Sequence, residues 1–277
     1  SLCEDSYGYI WMGTFHGGLN RYDPATEQFT LYVRDDDDPG SLSHNSINAI
    51  YETKAGDLWI GTDDGLNTYD RARDRFARYR FDPNDSNSLS HNFIRRIYED
   101  RSGALWIGTD GGGLNRFDPA SGAWTRYKHD PGDPASLSHN SVRAVCETRS
   151  GDLWIGTVGG GLNRLDRRTG RFTRYRHDPS DPKSLAHDQV FDIFEDRTGA
   201  LWIGTHGGGL DLLDPESGGF LHYRNDPNDP NSLSFDEVRD IFEDRSGIMW
   251  IGTYGGGANT FDTKRKNFST YRPMNAL

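Results

Sequence analysis

Histidine is the residue whose spacing in this chain first invites a chemical reading. His44, His91, His139 and His187 lie 47, 48 and 48 residues apart, and Phe235 takes the next place in the series. A neutral imidazole is a common metal ligand and a general base near neutral pH. A metal needs several ligands converging on one ion, and copies placed once per repeat do not converge, so a structural role is expected for these four. His16, His206 and His222 fall outside the series. Catalysis would need them gathered with carboxylates around a metal, and nothing in their spacing brings that about. No catalytic residue, metal site or cofactor is expected.

A second group of candidates sits on glycine-rich turns. These read Phe15-His16-Gly17-Gly18, Asp63-Asp64-Gly65, Asp110-Gly111-Gly112-Gly113, Val158-Gly159-Gly160-Gly161, His206-Gly207-Gly208-Gly209 and Tyr254-Gly255-Gly256-Gly257. The frame is nearly constant while the residue after the preceding Thr changes. Variation at one place in otherwise uniform repeats marks a surface read by a ligand; the alternative is drift at solvent-exposed tips. The expected ligand-binding residues are Phe15, His16, Asp63, Asp64, Asp110, His206 and Tyr254. A third group, Asn48, Arg95, Arg143, Phe191 and Arg239, shares one position after a leading apolar residue. The polar members, Asn48, Arg95, Arg143 and Arg239, suit the lining of a wet channel. The apolar spacing around them breaks strict alternation, so the face they occupy is not fixed by pattern.

The elements that carry these residues come from a repeat. Gly103-Ala104-Leu105-Trp106-Ile107-Gly108-Thr109 occurs in six versions, with tryptophans at 11, 59, 106, 154, 202 and 250, separated by 48, 47, 48, 48 and 48 residues. The short interval arises where the second turn has one glycine fewer. A period of this length means a repeat architecture. In the third copy, residues 93–99 are β-branched and aromatic, and Arg101-Ser102-Gly103 is a turn. Leu105-Trp106-Ile107 is apolar on consecutive positions and must be covered on both faces. Leu114-Asn115-Arg116-Phe117 follows the glycine turn. Asp118-Pro119-Ala120-Ser121-Gly122 turns again, and Ala123-Trp124-Thr125-Arg126-Tyr127 alternates as a half-exposed strand does. Four antiparallel strands per repeat with no helical period predict an all-β fold, a β-propeller of six four-stranded blades. The blades run approximately 1–34, 35–81, 82–129, 130–177, 178–225 and 226–277, forming a single domain. The tryptophans are expected to be packing residues.

Long connectors such as His129-Asp130-Pro131-Gly132-Asp133-Pro134-Ala135-Ser136-Leu137-Ser138 enter each blade after the first. Loops of this length are uncommon unless functional or disordered, and five similar copies argue for order, with Leu tucked between blades. Asp226-Pro227-Asn228-Asp229 hints at calcium but lacks the full spacing of a calcium loop. The first and last blades each supply their own strands, with none exchanged. The last blade departs from the pattern at Gly257-Ala258-Asn259-Thr260 and ends in a basic edge, Thr263-Lys264-Arg265-Lys266-Asn267, followed by Pro273-Met274-Asn275.

Net charge is −11, from 31 Lys and Arg against 42 Asp and Glu. This argues against nucleic acid or an anionic membrane surface as partner. Hydrophobic content is 34% with 33 glycines, as shallow cores joined by tight turns require. No apolar run is long enough to span a bilayer. Cys3 and Cys146 fall at one place in the first and fourth blades. In a closed ring these are opposite, beyond the ~7 Å that a disulfide bridges, so two free, buried thiols are expected. The chain begins inside a repeat and reads as a piece of a longer protein.

Glu99-Asp100-Arg101-Ser102-Gly103-Ala104-Leu105-Trp106-Ile107-Gly108-Thr109 with Gly112-Gly113-Leu114-Asn115-Arg116-Phe117-Asp118-Pro119, and connectors such as Asp226-Pro227-Asn228-Asp229-Pro230-Asn231-Ser232-Leu233-Ser234, resemble the two-component regulator propeller repeat. The likeness runs the length of the chain. It implies a ligand-binding sensor region on the periplasmic or extracellular side of a bacterial membrane protein, commonly a hybrid histidine kinase and sometimes a diguanylate cyclase. It also implies a polar small molecule or oligosaccharide as partner, and it accommodates a homodimer of the longer protein. Family propellers often have seven blades, against six here. The repeats are also similar to streptogramin lyases, which need a unique His and Glu constellation around a metal; a protein-interaction propeller without a small ligand is the further alternative. If the ring closes, His206, Tyr254, Phe15 and His16 form an aromatic and imidazole sector, with Asp63, Asp64 and Asp110 in another. Arg95, Arg143 and Arg239 are then placed to meet an acidic group on the ligand.

Overall fold

The computed structural model describes residues 1–262 and 267–271. The described residues contain 24 strands and no helix. They form six four-stranded antiparallel sheets, each built from strands consecutive in sequence. This is the β-propeller fold of six four-stranded blades that the repeats predict. The strands of the third blade are Ile94–Glu99, Leu105–Thr109, Leu114–Asp118 and Ala123–Tyr127. The first and last blades use their own strands, beginning with Leu2–Glu4 and ending with Asn267–Tyr271. The basic edge at 263–266 and Pro273-Met274-Asn275 lie outside the described residues. The chain divides into two compact units, one of residues 1–129 with 140–142, the other of residues 130–139 with 143–277.

The second strand of each blade is the most buried. Leu58–Thr62, Leu105–Thr109, Leu153–Thr157 and Leu201–Thr205 are buried at every position. The consecutive apolar run is thus covered on both faces, as the lack of alternation predicts. Five of the six repeat tryptophans are buried and Trp250 is half-buried. Within the first unit, Trp11, Leu42, Ile47, Leu58 and Tyr69 share one core, and Trp59, Leu89, Ile94, Leu105 and Phe117 share the next. In the second unit the equivalents are Trp154, Leu185, Val190 and Leu201, then Trp202, Leu233, Val238 and Met249.

Glycine sets how closely successive blades approach. A methyl group on Gly61 would lie 2.6 Å from Ile94 Cγ2, and one on Gly156 would lie 2.5 Å from Val190 Cγ1. The Ile-Gly-Thr glycine is therefore a packing requirement, with the first strand of the next blade resting on bare backbone.

A carboxylate fixes the tryptophan in four blades. Asp5, Asp100, Asp196 and Asp244 accept the indole N–H of Trp11, Trp106, Trp202 and Trp250 at 2.7–2.9 Å. The other oxygen of Asp196 takes the amides of Thr198 and Ala200, closing the turn between the first two strands. Burial opposes ionisation of Asp196, but the hydrogen bonds from Thr198, Trp202 and the backbone outweigh it and hold its carboxyl below the usual range. The second and fourth blades carry Thr53 and Thr148 instead, and Trp59 Nε1 is buried without a partner.

The connectors are ordered by local hydrogen bonds. Asp226 and Asp229 accept the amides of Asn228 and Asn231, and the Ser232 hydroxyl donates to Asp226 O. The carboxylates that hinted at calcium are turn caps of the Asx kind. An Arg on the fourth strand clasps the connector: Arg78, Arg126 and Arg174 donate Nε–H to the carbonyls of Ser41, Ser88 and Ser136. The connector leucines 42, 89, 137, 185 and 233 are buried as expected. Cys3 and Cys146 are free, but half-buried where full burial was expected.

The fifth blade rewrites one buried polar contact. Elsewhere an asparagine and a connector serine exchange two bonds; Asn163 Oδ1 accepts from Ser138 N at 3.0 Å and Asn163 Nδ2 donates to Ser138 Oγ at 2.8 Å. Here Ala186 replaces the serine, Asp211 the asparagine and His222 the clasping arginine. Asp211 is fully buried, 2.6 Å from His222 Nδ1, and His222 Nε2 donates to Pro182 O at 3.0 Å. The hydrogen bond from Asp211 raises the His222 pKa above its ordinary value, and burial raises that of Asp211. A histidine with a raised folded-state pKa stabilises the fold fully below its unfolded pKa of about 6.5 and loses that contribution as pH rises through the folded value. The raised Asp211 carboxyl has the same sense, costing stability above its own unfolded pKa.

Two measurements check these assignments. In urea unfolding, Asp196→Ala should cost about 2–3 kcal/mol by stranding a buried indole N–H and two amides, while Thr53→Asp should gain about 1 kcal/mol by satisfying Trp59. His222→Ala should cost about 3–5 kcal/mol, the price of an unpaired buried charge. It should also flatten the decline in stability expected of the parent chain as pH rises above about 6.5; an equal decline in the variant would place the titrating group elsewhere.

Candidate functional site

The strand that carries Asn48, Arg95, Phe191 and Arg239 is bulged at those residues. In the second blade Ile47 pairs with Thr62 and Ala49 with Gly61, so Asn48 is the extra residue; Arg95, Phe191 and Arg239 are the extra residues of the third, fifth and sixth blades. A bulge inserts one residue and re-aims its side chain. This is the physical reason for the broken alternation in the sequence.

The re-aimed side chain meets the variable residue of its own blade's glycine hairpin, fifteen positions on. Asn48 Nδ2 donates to Asp63 Oδ1 at 2.8 Å. Arg95 Nη2 donates to Asp110 Oδ2 at 3.0 Å. Phe191 and His206 rings lie 5.7 Å apart, and the Arg239 guanidinium carbon is 5.2 Å from the Tyr254 ring. Two sets of residues that look separate in sequence thus pair with each other within single blades. The hairpin is held in place by backbone: the amides of Asp63, Asp110, His206 and Tyr254 donate to the carbonyls of Ser46, Phe93, Gln189 and Glu237.

The residues that supply these four accepting carbonyls mark a position that sequence reasoning passed over. Ser46, Phe93, Gln189 and Glu237 immediately precede the first strand, and their side chains complete the pairs. Phe93 lies under the Arg95 guanidinium at 3.9 Å. The Ser46 hydroxyl contacts His16 Nδ1 at 2.8 Å. Glu237, buried, lies 3.0 Å from His206 Nδ1 and forms an ion pair with Arg239. The variation at this position, Ser, Phe, Ser, Gln and Glu across five blades, was the available clue.

Each unit carries its own pairs. In the first, Phe15 is 78% exposed and its ring lies 4.0 Å from that of His16 at a tilt of 49°, and His16 takes a positive φ of 68°. Asp64 is turned away from Asn48 and Asp63, 2.8 Å from Arg80, 3.6 Å from Arg34 and bonded to Asn92. In the second, Arg239 lies 4.0 Å over Phe191 and Arg143 lies 5.7 Å from the same ring. Tyr254 is 66% exposed at the end of this cluster. His206 and His222 are not partners: His222 belongs to the buried pair with Asp211. The histidines in repeat register have a structural task. Nδ1 of His44, His91 and His187 accepts the amide two residues on. Burial, with His206 nearby, lowers the His187 pKa. No cluster of three or more metal-ligating side chains occurs among the described residues.

The arrangement offers exposed aromatic faces beside carboxylate–guanidinium and carboxylate–amide pairs, which can donate to and accept from hydroxyl groups. Groups of these kinds are the ones that meet the hydroxyls and apolar faces of polar ligands.

A solved structure of the extracellular domain of BT3049 from B. thetaiotaomicron, assigned to a hybrid two component system, is 28% identical over 96% of this chain, with a TM-score of 0.73. The extracellular domain of BT4673 from the same organism, assigned to a one component system, is 22% identical over 98% of the chain, with a TM-score of 0.65. The chain spans 32% and 42% of these two structures. Catalytically inactive virginiamycin B lyase from Staphylococcus aureus, solved with quinupristin, is 17% identical over 91% of this chain and 76% of its own, with a TM-score of 0.64, a likeness of fold alone. No curated protein matches the chain. No helix among the described residues is long and apolar enough to cross a membrane. The family described as two component regulator propeller matches at residues 1–16, 41–64, 88–111, 136–159, 184–207 and 232–255, once in each blade, each match ending within the glycine hairpin. The chain belongs to the two component regulator propeller family.

Proposed function

We propose that this chain is the ligand-sensing propeller of a bacterial two-component signalling protein, lying on the periplasmic or extracellular side of the membrane, and that its ligand is a neutral oligosaccharide or a similar hydroxyl-rich molecule. The observation that carries the reading is the pairing, within single blades, of one bulge residue with one hairpin residue on a constant frame, different in chemistry from blade to blade. The family membership and the 28% identity to an extracellular domain of a two component system support the sensor role. The ligand class rests on chemistry. Arg95 and Arg239 already face Asp110 and Glu237. A hydroxyl accepts from the guanidinium and donates to the carboxylate at once, whereas an anion must compete with the carboxylate for the same donors. Tyr254 and Phe15 supply exposed rings for the apolar face of a sugar. The residues assigned to binding are Phe15, His16, Asn48, Asp63, Asp110 and Arg95 in the first unit, with Arg143, His206, Arg239 and Tyr254 in the second. Asp64 is assigned to holding its hairpin.

Calorimetry against neutral and acidic oligosaccharides should show binding to neutral members, weakened about tenfold by Tyr254→Ala, as the loss of one aromatic contact predicts. Tighter binding of acidic members would reverse the ligand class. Equal affinity of the parent, Tyr254→Ala and Phe15→Ala chains would move the site off the hairpins.

A further inference from the structure

Within each unit, successive blades share a packing rule at the end opposite the glycine hairpins. The tryptophan of one blade is covered by an aromatic ring from the third strand of the next. Tyr69 lies 5.0 Å from Trp11, Phe117 lies 5.6 Å from Trp59, and Phe261 lies 5.3 Å from Trp202. The fourth and fifth blades break the rule. Leu213 stands at the aromatic position, and a cleft of about 790 Å³ opens there, with Trp154, Tyr175, Leu213 and Glu195 among its walls. That volume lies within the usual range for small-molecule sites.

Two further departures fall in the same cleft. The carboxylate that fixes the indole in four other blades is Thr148 here, whose hydroxyl is engaged with Ser150 and Asp152 O. No described side chain accepts from Trp154 Nε1. A cation of the first cleft is also absent, as it is from the cleft closed by Phe117, where Pro119 takes its position. Between the first and second blades, Arg71 bridges Asp5 and Glu52 at 2.8 Å each, with its guanidinium carbon 6.0 Å from the Tyr69 ring. Its counterpart in the fifth blade is Pro215. Glu195, the counterpart of Glu52, keeps its place on the wall, accepting the Arg149 amide at 2.9 Å with the Arg149 guanidinium 4.0 Å away. Glu52 shows that a carboxylate at this position can accept a backbone amide, a further donor and a cation together, since it accepts the Ser6 amide and hydroxyl along with Arg71.

We propose that the cleft between the fourth and fifth blades is a second ligand site, and that it takes a small aromatic cation. The arene lies over Trp154, where Tyr69, Phe117 or Phe261 lies in the other clefts. The ammonium or guanidinium points to Glu195, where Arg71 stands in the first cleft. Tyr69-Asp70-Arg71 is the chain's own version of such a ligand, an aromatic ring and a cation two residues apart. Arg164, 5.9 Å over Trp154, does not oppose this. Arg21 holds the same position 5.7 Å over Trp11 and coexists there with both Tyr69 and Arg71.

The probe is tyramine, which joins an arene to an ammonium at comparable reach, with 4-ethylphenol and butylamine as the ring-only and cation-only arms. Calorimetry should show tyramine binding the parent chain and the two arms binding at least about tenfold more weakly, each having lost one contact. Leu213→Phe restores the aromatic ring and should abolish binding while the melting temperature holds or rises, because a cavity is filled. Glu195→Gln keeps an acceptor for the Arg149 amide and should weaken tyramine about tenfold through loss of the charge. It decides the matter alone if Leu213→Phe does not fold. No tyramine binding to the parent, unchanged binding in Glu195→Gln or in folded Leu213→Phe, or 4-ethylphenol binding as tightly as tyramine would each overturn the proposal.

Discussion

Close approach of backbone to backbone is the constraint on which the rest of this structure depends. The second strand of each blade must let the next first strand rest on it, and only a residue without a Cβ allows that. Gly13, Gly61, Gly156 and Gly204 leave room for Ile47, Ile94, Val190 and Val238, respectively. The contact brings the glycine hairpin of one blade beside the residue that leads into the next. That adjacency appears as short antiparallel bridges, Asp110 with Ser141 and His206 with Glu237. The variable side chains stand beside this contact, on hairpins tied by backbone hydrogen bonds to the residues that lead into the first strands.

Polar groups in this fold are satisfied locally. The indole N–H is held by a carboxylate six residues earlier, the connector serine by an asparagine of the same blade, the connector carbonyls by an arginine of the fourth strand. Each device closes within one repeat, and this lets the sequence change blade by blade without disturbing its neighbours. Exceptions fall where two blades meet. Arg71 reaches from the second blade to Asp5 of the first, and Lys54 donates its amide to Glu99 of the third.

The fold was legible because burial on both faces leaves an unambiguous mark: Leu-Trp-Ile has no alternation, and the turns around it contain glycine where positive φ is needed, as at Gly103 and Gly113. The site was legible in its parts. Asp63, Asp110, His206 and Tyr254 stood out as variation on a constant frame, and Asn48, Arg95 and Arg239 as polar residues in an apolar strand. That they pair was hidden, because a bulge changes the face of one residue without changing composition. Glu237 was missed for a related reason: a residue just before a strand reads as loop, and its burial depends on the neighbouring hairpin. The cleft over Trp154 was equally hidden, since a leucine in place of an aromatic conserves hydrophobicity and alters only volume.

The Asp211–His222 pair bears on how a chain of this kind can be rearranged over time. Ala186, Asp211, His222 and Pro182 all belong to the fifth blade. A duplication, deletion or exchange of that blade carries the whole charged network with it and leaves no buried carboxylate stranded. Assembling the network one substitution at a time is a harder route, because Asp211 without His222 is an unpaired charge in the core. Whole-blade transfer is therefore the easier path by which this variation spreads among repeats. The clefts between blades are different: their shape is a property of two neighbours, so the same exchange that preserves a blade's interior makes new combinations of pocket at its edges.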